Sequence, residues 1–279
     1  MGIADYFKRV DSLSAEQTRV FLSDKTPGDY NLIDVRQPGE YEKGHIPGAY
    51  LIPVGELRDR IGEIDRDKPT ITYCGSGFRS RAAAAVLAGE GFSKIYNMDG
   101  GIRAWNGFIA EGVPDAGMAY FGSATGSDEL IGLAWKLENG SRKFYILLCD
   151  LIDDDDARYL FEKLEQAEER HESALTQLFT EVTGSKPDDL FPESVLSADM
   201  PDDIMEGGIR LEQARQWARG KDVQEILEFS MSLETSAYDL YIKMARTRDN
   251  DQSQRIFDML ARDEQNHLAQ LAGLLEEKL

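Results

Sequence analysis

A cysteine opens a glycine-rich loop at residues 74–80, which reads Cys-Gly-Ser-Gly-Phe-Arg-Ser. A β-like run at Thr70–Tyr73 precedes the loop, and an alanine-rich helix is predicted to follow it over residues 81–88. Backbone N–H groups at the start of such a helix converge on anions. Their partial positive charge, together with Arg79, is expected to lower the pKa of the Cys74 thiol. The loop is therefore predicted to hold a reactive sulfur nucleophile in an anion cradle.

The spacing within this loop distinguishes two kinds of cysteine chemistry. Cysteine-dependent phosphatases place five residues between the nucleophile and an arginine, whereas four residues separate Cys74 from Arg79. The smaller cradle suits the sulfur of a persulfide better than a tetrahedral phosphate. A phosphatase or arsenate reductase is an alternative that an aryl phosphate assay would test, and a buried structural cysteine is the simplest alternative.

Two Glu-x-x-His patterns lie on predicted helices, at Glu168–His171 and Glu264–His267. Residues three apart project from one helix face, so each pair can serve a single metal centre. The two patterns are 96 residues apart, and the same offset relates Glu138 to Glu234. It also relates Tyr145 to Tyr241, Phe161 to Phe257 and Leu175 to Leu271. The second half of the chain is therefore an internal duplication in which each copy is one helical hairpin.

The position of the glutamates within the hairpins supports a metal site. In each copy, the two glutamates lie about fifteen residues, or roughly 22 Å, from the predicted turns at 153–156 and 248–251. Four glutamates and two histidines would then meet at one level of the bundle. Buried carboxylates in such numbers repel each other unless cations are bound, and iron or manganese suits these ligand types. The alternative is that the acids are surface residues and the histidines incidental.

Composition limits the partners and the location. The 279 residues carry a net charge of −20, so nucleic acid and anionic membrane surfaces are poor partners. No apolar run approaches the roughly 20 residues needed to span a bilayer. Two cysteines exclude a disulfide scaffold and a four-cysteine metal site. The start of the chain lacks a secretory apolar segment, so a cytoplasmic location is expected.

Charge also marks a domain boundary, since the net charge is −2 over residues 1–113 and −18 over residues 114–279. Residues 115–126 contain turn-forming and small side chains and are predicted to be a linker. The chain is thus predicted to be multidomain, with one domain at 1–114 and another at 127–279.

The first domain alternates strand and helix patterns. Strands are predicted at Asn31–Val35, Thr70–Tyr73 and Lys94–Met98, with helices at Ser14–Leu22 and Ser80–Ala88 between them. This alternation predicts an α/β domain with a parallel sheet and helices on both faces.

The second domain shows only helical periodicity. Long amphipathic helices are predicted over 128–150, 156–183, 222–248 and 251–277, with a short helix over 211–219. A proline-containing crossover at 184–208 joins the two hairpins. Four helices with one long crossover predict an all-α, ferritin-like four-helix bundle.

The loop at residues 74–80 resembles the active loop of single-domain rhodaneses, and the resemblance extends over about residues 5–114. It includes Ile33–Arg36, Glu40–Tyr41, Gly44–Ala49 and Asp99–Trp105 in family order. The resemblance implies a sulfurtransferase in which Cys74 takes sulfur from a sulfane sulfur donor such as thiosulfate, becomes a persulfide and passes the sulfur to a thiol acceptor. It further implies that the backbone of Gly75, Ser76, Gly77, Phe78, Arg79 and Ser80 stabilises the persulfide, that Arg79 helps to bind the donor, and that Asp34 and Arg36 support the loop.

Residues 126–278 resemble the rubrerythrin-type, ferritin-like di-iron family. The resemblance implies two iron ions, with manganese or zinc as alternatives, peroxide or oxygen as substrate, and a homodimer. The implied ligands are Glu138, Glu168, His171, Glu234, Glu264 and His267. Tyr145 and Tyr241 either donate hydrogen bonds to these carboxylates or simply pack in the core. Two departures are an alanine at position 237, where rubrerythrins often carry a carboxylate, and the lack of a rubredoxin domain; Glu206 and Glu212 are candidates for a further ligand.

Two functional hypotheses follow. The first is a sulfurtransferase fused to a di-iron carboxylate bundle that performs redox chemistry on peroxide or oxygen. The second is a non-enzymatic bundle that binds or senses iron, with the rhodanese domain as a persulfide carrier or docking module. Turnover of peroxide by the reduced metal form would distinguish them.

Overall fold

The computed structural model describes residues 10–112, 126–196, 201–246 and 251–279, without the side chains of residues 251–253. The chain divides into two compact units, Met1–Ala116 and Gly117–Leu279. Of the predicted linker at 115–126, only Gly126 lies within the described residues. Within the described ranges, we find no helix with the length and apolarity needed to cross a membrane.

The first unit contains a parallel sheet of five strands in the order β1-β5-β4-β2-β3. The strands are β1 (Asp11–Leu13), β2 (Asn31–Asp34), β3 (Tyr50–Leu51), β4 (Thr70–Tyr73) and β5 (Ile95–Met98), and the helices are α1 (Ala15–Ser23), α2 (Pro38–Tyr41) and α3 (Phe78–Gly89). The three predicted strands are the central ones. The short edge strands β1 and β3 were not predicted.

Apolar side chains cover both faces of this sheet. Successive residues of a strand point to opposite faces, so Leu32 packs in a cluster with Ala15 and Tyr41, whereas Ile33 packs with Ala83 and Leu87. The α/β fold with helices on both faces is therefore confirmed.

The second unit consists of four long helices and one short helix. They are α4 (Ser127–Leu151), α5 (Asp155–Thr183), α6 (Leu211–Ala218), α7 (Val223–Arg246) and α8 (Asp251–Lys278). Where the structure describes them, the helix ends lie within one residue of the predicted ends. Asp154 caps α5 by accepting a hydrogen bond from Ala157 N at 2.9 Å, and Gly184 ends α5 with a φ of +72°.

Two hairpins, α4 with α5 and α7 with α8, form the bundle, and α5 also packs against α8. One buried apolar cluster includes Leu137, Leu175 and Leu240, and a second includes Phe144 and Leu164. The predicted metal ligands lie at a level between these clusters, where little water can screen their charges. The ferritin-like bundle is confirmed, and its predicted turn at 248–251 falls largely outside the described residues.

Candidate active loop and candidate metal centre

Cys74 directly follows β4, a central strand, and is almost fully buried. Its sulfur lies 3.1 Å from the N–H of Gly77 and 3.5 Å from the hydroxyl of Ser80. Burial acts to raise the pKa of the Cys74 thiol, but hydrogen bonds from the Ser80 hydroxyl and from the backbone of Ser76, Ser80 and Gly77 outweigh it. The pKa is therefore lower than that of an ordinary thiol, which favours the thiolate.

A turn after β5 supports the cysteine loop from behind. The N–H of Ile102 donates to the carbonyl oxygen of Cys74 at 2.8 Å. Gly101 has a φ of +59°, and a Cβ placed there would lie 2.2 Å from that same oxygen. Gly77, with a φ of +91°, is the N-cap of α3, and a Cβ placed there would make a tight contact of 3.1 Å with Gly100 N. Only glycine fits both positions without displacing the loop.

Arg79 is held by a carboxylate that received no functional role in the sequence analysis. Its two terminal nitrogens each lie 2.7 Å from an oxygen of Glu40, at the first helical turn of α2. The hydrogen bonds from Arg79 lower the pKa of Glu40 to about 2. Phe78, beside Arg79, is 83% exposed. The cradle therefore presents an exposed aromatic ring and an arginine whose charge is partly balanced.

Asp34 and Arg36 form a buried ion pair next to β2. The Arg36 guanidinium donates to both Asp34 oxygens, at 2.6–2.9 Å, and to the carbonyl of Gly44 at 2.6 Å. It also lies 5.7 Å above the ring of Tyr73, the residue before Cys74. The contact between Arg36 and the Tyr73 ring is how the pair would support the cysteine loop. That it does so stays a prediction.

In the bundle, the six predicted ligands lie together and are buried. They form two groups, and within each group the ligand atoms lie within 4.8 Å of one another. The groups are Glu138–Glu168–His171–Glu264 and Glu168–Glu234–Glu264–His267. His171 Nδ1 lies 3.0 Å from Glu138 and 2.9 Å from Glu168. His267 Nδ1 repeats this geometry, at 3.0 Å from Glu234 and 3.1 Å from Glu264. Glu168 and Glu264 belong to both groups, so the arrangement is that of two adjacent positions with two shared carboxylates.

The two tyrosines connect the two copies of the duplication. The hydroxyl of Tyr145 donates to Glu234, and that of Tyr241 donates to Glu138. Each tyrosine thus holds the glutamate of the opposite hairpin. The sequence left open whether these side chains bond the carboxylates or only pack, and the structure shows both to be fully buried and bonded.

The charges of this cluster are unbalanced within the protein. Burial, together with the adjacent Glu138 and Glu234, raises the pKa values of Glu168 and Glu264 well above normal. Burial opposes the charged form of His171, but Glu138 and Glu168 outweigh it and raise its pKa well above the usual value. In the absence of cations, protons would balance the negative charge.

The donor set fits a pair of divalent cations. Among the described residues, Glu168 Oε1 and Glu264 Oε1 are buried oxygens with no hydrogen-bond partner. A buried carboxylate oxygen without a partner is unfavourable, and a bound cation would satisfy it. Four carboxylates and two imidazoles, each ring using Nδ1, suit iron or manganese, and zinc also accepts these ligands.

A fifth buried carboxylate comes from the crossover. Glu206 follows Ile204 and Met205, which press against α4 so closely that a Cβ at Gly140 would lie 2.1 Å from Ile204 O. Glu206 accepts a hydrogen bond from Ser141 at 2.9 Å, and its Oε1 lies 3.4 Å from the Tyr241 hydroxyl. Glu206 therefore reaches the ligand candidate Glu138 through the hydroxyl of Tyr241.

Glu212, the other candidate for a further ligand, and Cys149, the second cysteine, lie away from the cluster. Glu212 is exposed on α6, where it bonds Gln216. Cys149 is half-buried against the apolar cluster of Phe144, with its sulfur 3.8 Å from Arg158 O.

Comparison with known proteins assigns both units. The rubrerythrin family model matches residues 129–275, more than half of the chain. The chain belongs to the rubrerythrin family. The rhodanese-like domain model matches residues 17–107, ahead of the bundle. Both resemblances drawn from the motifs are therefore confirmed. The rubrerythrin domain implies a metal-binding di-iron site, and the structure shows a buried cluster of glutamates and histidines.

The individual relatives match the smaller, N-terminal part of the chain. The uncharacterized protein YqhL of Bacillus subtilis is 49% identical over 78 residues, which is 28% of this chain and 62% of YqhL. The thiosulfate sulfurtransferase GlpE of Pseudomonas syringae is 43% identical over 74 residues, which is 26% of this chain and 70% of that enzyme. The crystal structure of a rhodanese-related protein from Thermoplasma volcanium is 30% identical, covers 36% of this chain and 97% of its own, and has a TM-score of 0.33. The chain thus spans less than two thirds of YqhL.

Proposed function

We propose that the rhodanese-like domain of this rubrerythrin-family protein is a sulfurtransferase with Cys74 as its nucleophile. The thiolate attacks the outer sulfur of a sulfane donor such as thiosulfate. The sulfur–sulfur bond of the donor breaks, and sulfite leaves with the electron pair. A thiolate acceptor then attacks the outer sulfur of the Cys74 persulfide, which releases the Cys74 thiolate. The observation that carries the proposal is a thiol of lowered pKa that receives hydrogen bonds at the end of β4.

The surrounding loop supplies the rest of this chemistry. Backbone N–H groups of Ser76, Gly77 and Ser80 face the Cys74 sulfur, and the loop from Gly75 to Ser80 would stabilise the negative charge on the outer sulfur of the persulfide. Arg79 binds the anionic donor. Because Arg79 also forms an ion pair with Glu40, only part of its positive charge is available to the donor. GlpE, which matches this part of the chain, is named a thiosulfate sulfurtransferase.

We further propose that Glu138, Glu168, His171, Glu234, Glu264 and His267 hold two iron ions, with manganese or zinc as alternatives. Bound iron or manganese would supply one-electron redox chemistry toward peroxide or oxygen, whereas zinc, which has no redox chemistry, would not. The protein itself would hold the ligands in place through Tyr145 and Tyr241, while the apolar clusters above and below would exclude water. The observation that supports this site is the pair of interlocked ligand groups with unpartnered carboxylate oxygens.

Two experiments with the full-length protein test the two sites separately. Cys74→Ser should abolish thiosulfate sulfurtransfer and leave the metal content unchanged. Metal analysis after iron loading should give about two ions per chain, and Glu168→Gln should lower this ratio without affecting sulfurtransfer. Sulfurtransfer that survives Cys74→Ser, or a metal ratio near zero after loading, would contradict the respective assignment.

The second candidate function is an iron-binding or sensing bundle whose rhodanese domain carries a persulfide or docks a partner. His171, which is buried at the centre, lies 3.3 Å from Asp263, whose side chain is 36% exposed. Peroxide turnover by the reduced, iron-loaded protein supports the redox function, and its absence supports the binding role. A homodimer is part of the same proposal, and light scattering would test it.

A further inference from the structure

The duplication repeats the ligands of the metal centre but not their surroundings. Asp263 Oδ2 lies 3.3 Å from His171 Nε2. Moving Asp263 back by the 96-residue offset gives position 167, which is alanine. The same offset relates His171 to His267, so position 167 is the equivalent of Asp263 for the His267 ring, and an alanine there offers no carboxylate to that ring. The two histidines are therefore unequal in their outer partners.

The geometry of the His171 ring gives this difference a chemical meaning. Nδ1 faces Glu138 and Glu168 inside the cluster, whereas Nε2 faces Asp263, at the edge of the bundle. An imidazole that binds metal through Nδ1 carries its proton on Nε2, and that N–H would donate to Asp263. Such an outer carboxylate fixes the orientation of the ring and makes the ligand nitrogen more basic.

A second inequality lies on the same side of the centre. Glu206 contacts the hydroxyl of Tyr241, which in turn bonds Glu138. Ser141 bonds Glu206, and the position equivalent to Ser141 in the other copy is Ala237. Glu206 itself lies in the crossover, which occurs once in the chain, so the duplication provides no second copy of it. Asp263 thus contacts His171 directly, and Glu206 reaches Glu138 by way of the Tyr241 hydroxyl, so both contacts lead to the position bounded by Glu138 and His171.

We infer that the two metal positions are unequal, and that the position bounded by Glu138 and His171 binds its ion first and more tightly than the position bounded by Glu234 and His267. This inference rests on the proposed dinuclear centre and adds an order of filling to it. Removal of an outer partner of a metal-binding histidine typically weakens metal binding by about 10- to 100-fold. A form of the protein with one bound ion is therefore a populated species.

Isothermal titration calorimetry, in which Co(II) is added to the full-length, metal-free protein, tests the inference. We expect two separate binding steps in the wild type. Asp263→Asn should weaken the tighter step by about 10- to 100-fold and leave the weaker step unchanged. Ala167→Asp places a carboxylate at the equivalent position of the other copy and should strengthen the weaker step. Glu169→Gln, a matched control, removes one charge from an exposed side chain on α5.

Anomalous scattering from crystals with one equivalent of Co(II) identifies the position that fills first. We expect the ion beside His171. An ion beside His267, equal occupancy of both positions, or Asp263→Asn with two unchanged steps would overturn the inference while the dinuclear centre stands. If the protein binds no Co(II) at all, the proposed centre itself is wrong. Asp263 is partly exposed, so its substitution tests the inference even if the buried Ala167→Asp variant does not fold.

Discussion

The substitution Gly101→Ala should displace the cysteine loop and slow sulfurtransfer while the domain stays folded. The added methyl would lie 2.2 Å from Cys74 O, whereas ordinary contact begins at 3.4 Å. The loop or the turn must therefore move by about 1 Å, and the hydrogen bond from Ile102 N to Cys74 O lies directly at that contact. A displacement of about 1 Å at a reacting group can lower a rate by roughly 100-fold.

Gly91→Ala is the matched control. Gly91 also has a positive φ, at +97°, but a Cβ there meets nothing within 4 Å. Because alanine is unfavourable in the left-handed region, each variant should lose about 1–2 kcal/mol in the free energy of unfolding, and Gly101→Ala should lose more because its methyl also overlaps the loop. Only Gly101→Ala should also lose sulfurtransfer activity, since only there does the methyl reach the loop.

The assay is single-turnover formation of the Cys74 persulfide from thiosulfate, followed by mass spectrometry. Circular dichroism at the assay temperature confirms that each variant is folded. The expected result is a roughly 100-fold slower reaction for Gly101→Ala and a nearly unchanged rate for Gly91→Ala. A folded Gly101→Ala variant that reacts within about threefold of the wild type would refute the reasoning that this turn sets the position of the nucleophile.

Three further substitutions test individual contacts. Ser80→Ala removes a hydrogen bond that lowers the pKa of the nucleophilic thiol, so the pH midpoint of persulfide formation should move to higher pH, with rates that converge in alkali. Glu40→Gln releases Arg79 from its ion pair, so the KM for thiosulfate should fall several-fold in steady-state assays. Tyr241→Phe leaves the buried Glu138 without its donor, so denaturant unfolding of the metal-free protein should show a loss of about 1–3 kcal/mol in the free energy of unfolding.

Each of these variants has a control of the same kind. Ser76→Ala keeps the backbone N–H that faces the sulfur and should leave the pH profile unchanged. Glu42→Gln removes an exposed charge close to Glu40 and should leave the KM unchanged. Tyr159→Phe alters a tyrosine that is 61% exposed on α5 and should leave the free energy of unfolding nearly unchanged. Equal effects in a variant and its control would show that the named contact is not the cause.

Local patterns in the sequence determined the two folds and the side chains that are candidates for chemistry. The strand, loop and helix around Cys74 could be predicted because their signals lie within about twenty consecutive residues. The six metal-ligand candidates could be predicted because helical periodicity and the 96-residue offset are both written along the chain. The edge strands β1 and β3 could not be predicted, because strands of three and two residues are too short to show the alternation of apolar and polar side chains.

Only the tertiary structure decided which distant side chains meet these groups. Glu40 and Arg79 are 39 residues apart, and Asp263 and His171 are 92 apart. The packing of Gly140 against the crossover places Glu206 beside Tyr241. No local pattern reports such contacts, because periodicity shows which face of an element is apolar but not which residue of another element will lie opposite it. The sequence therefore determined the reacting groups, and the folded chain decided the partners that set their charge and orientation.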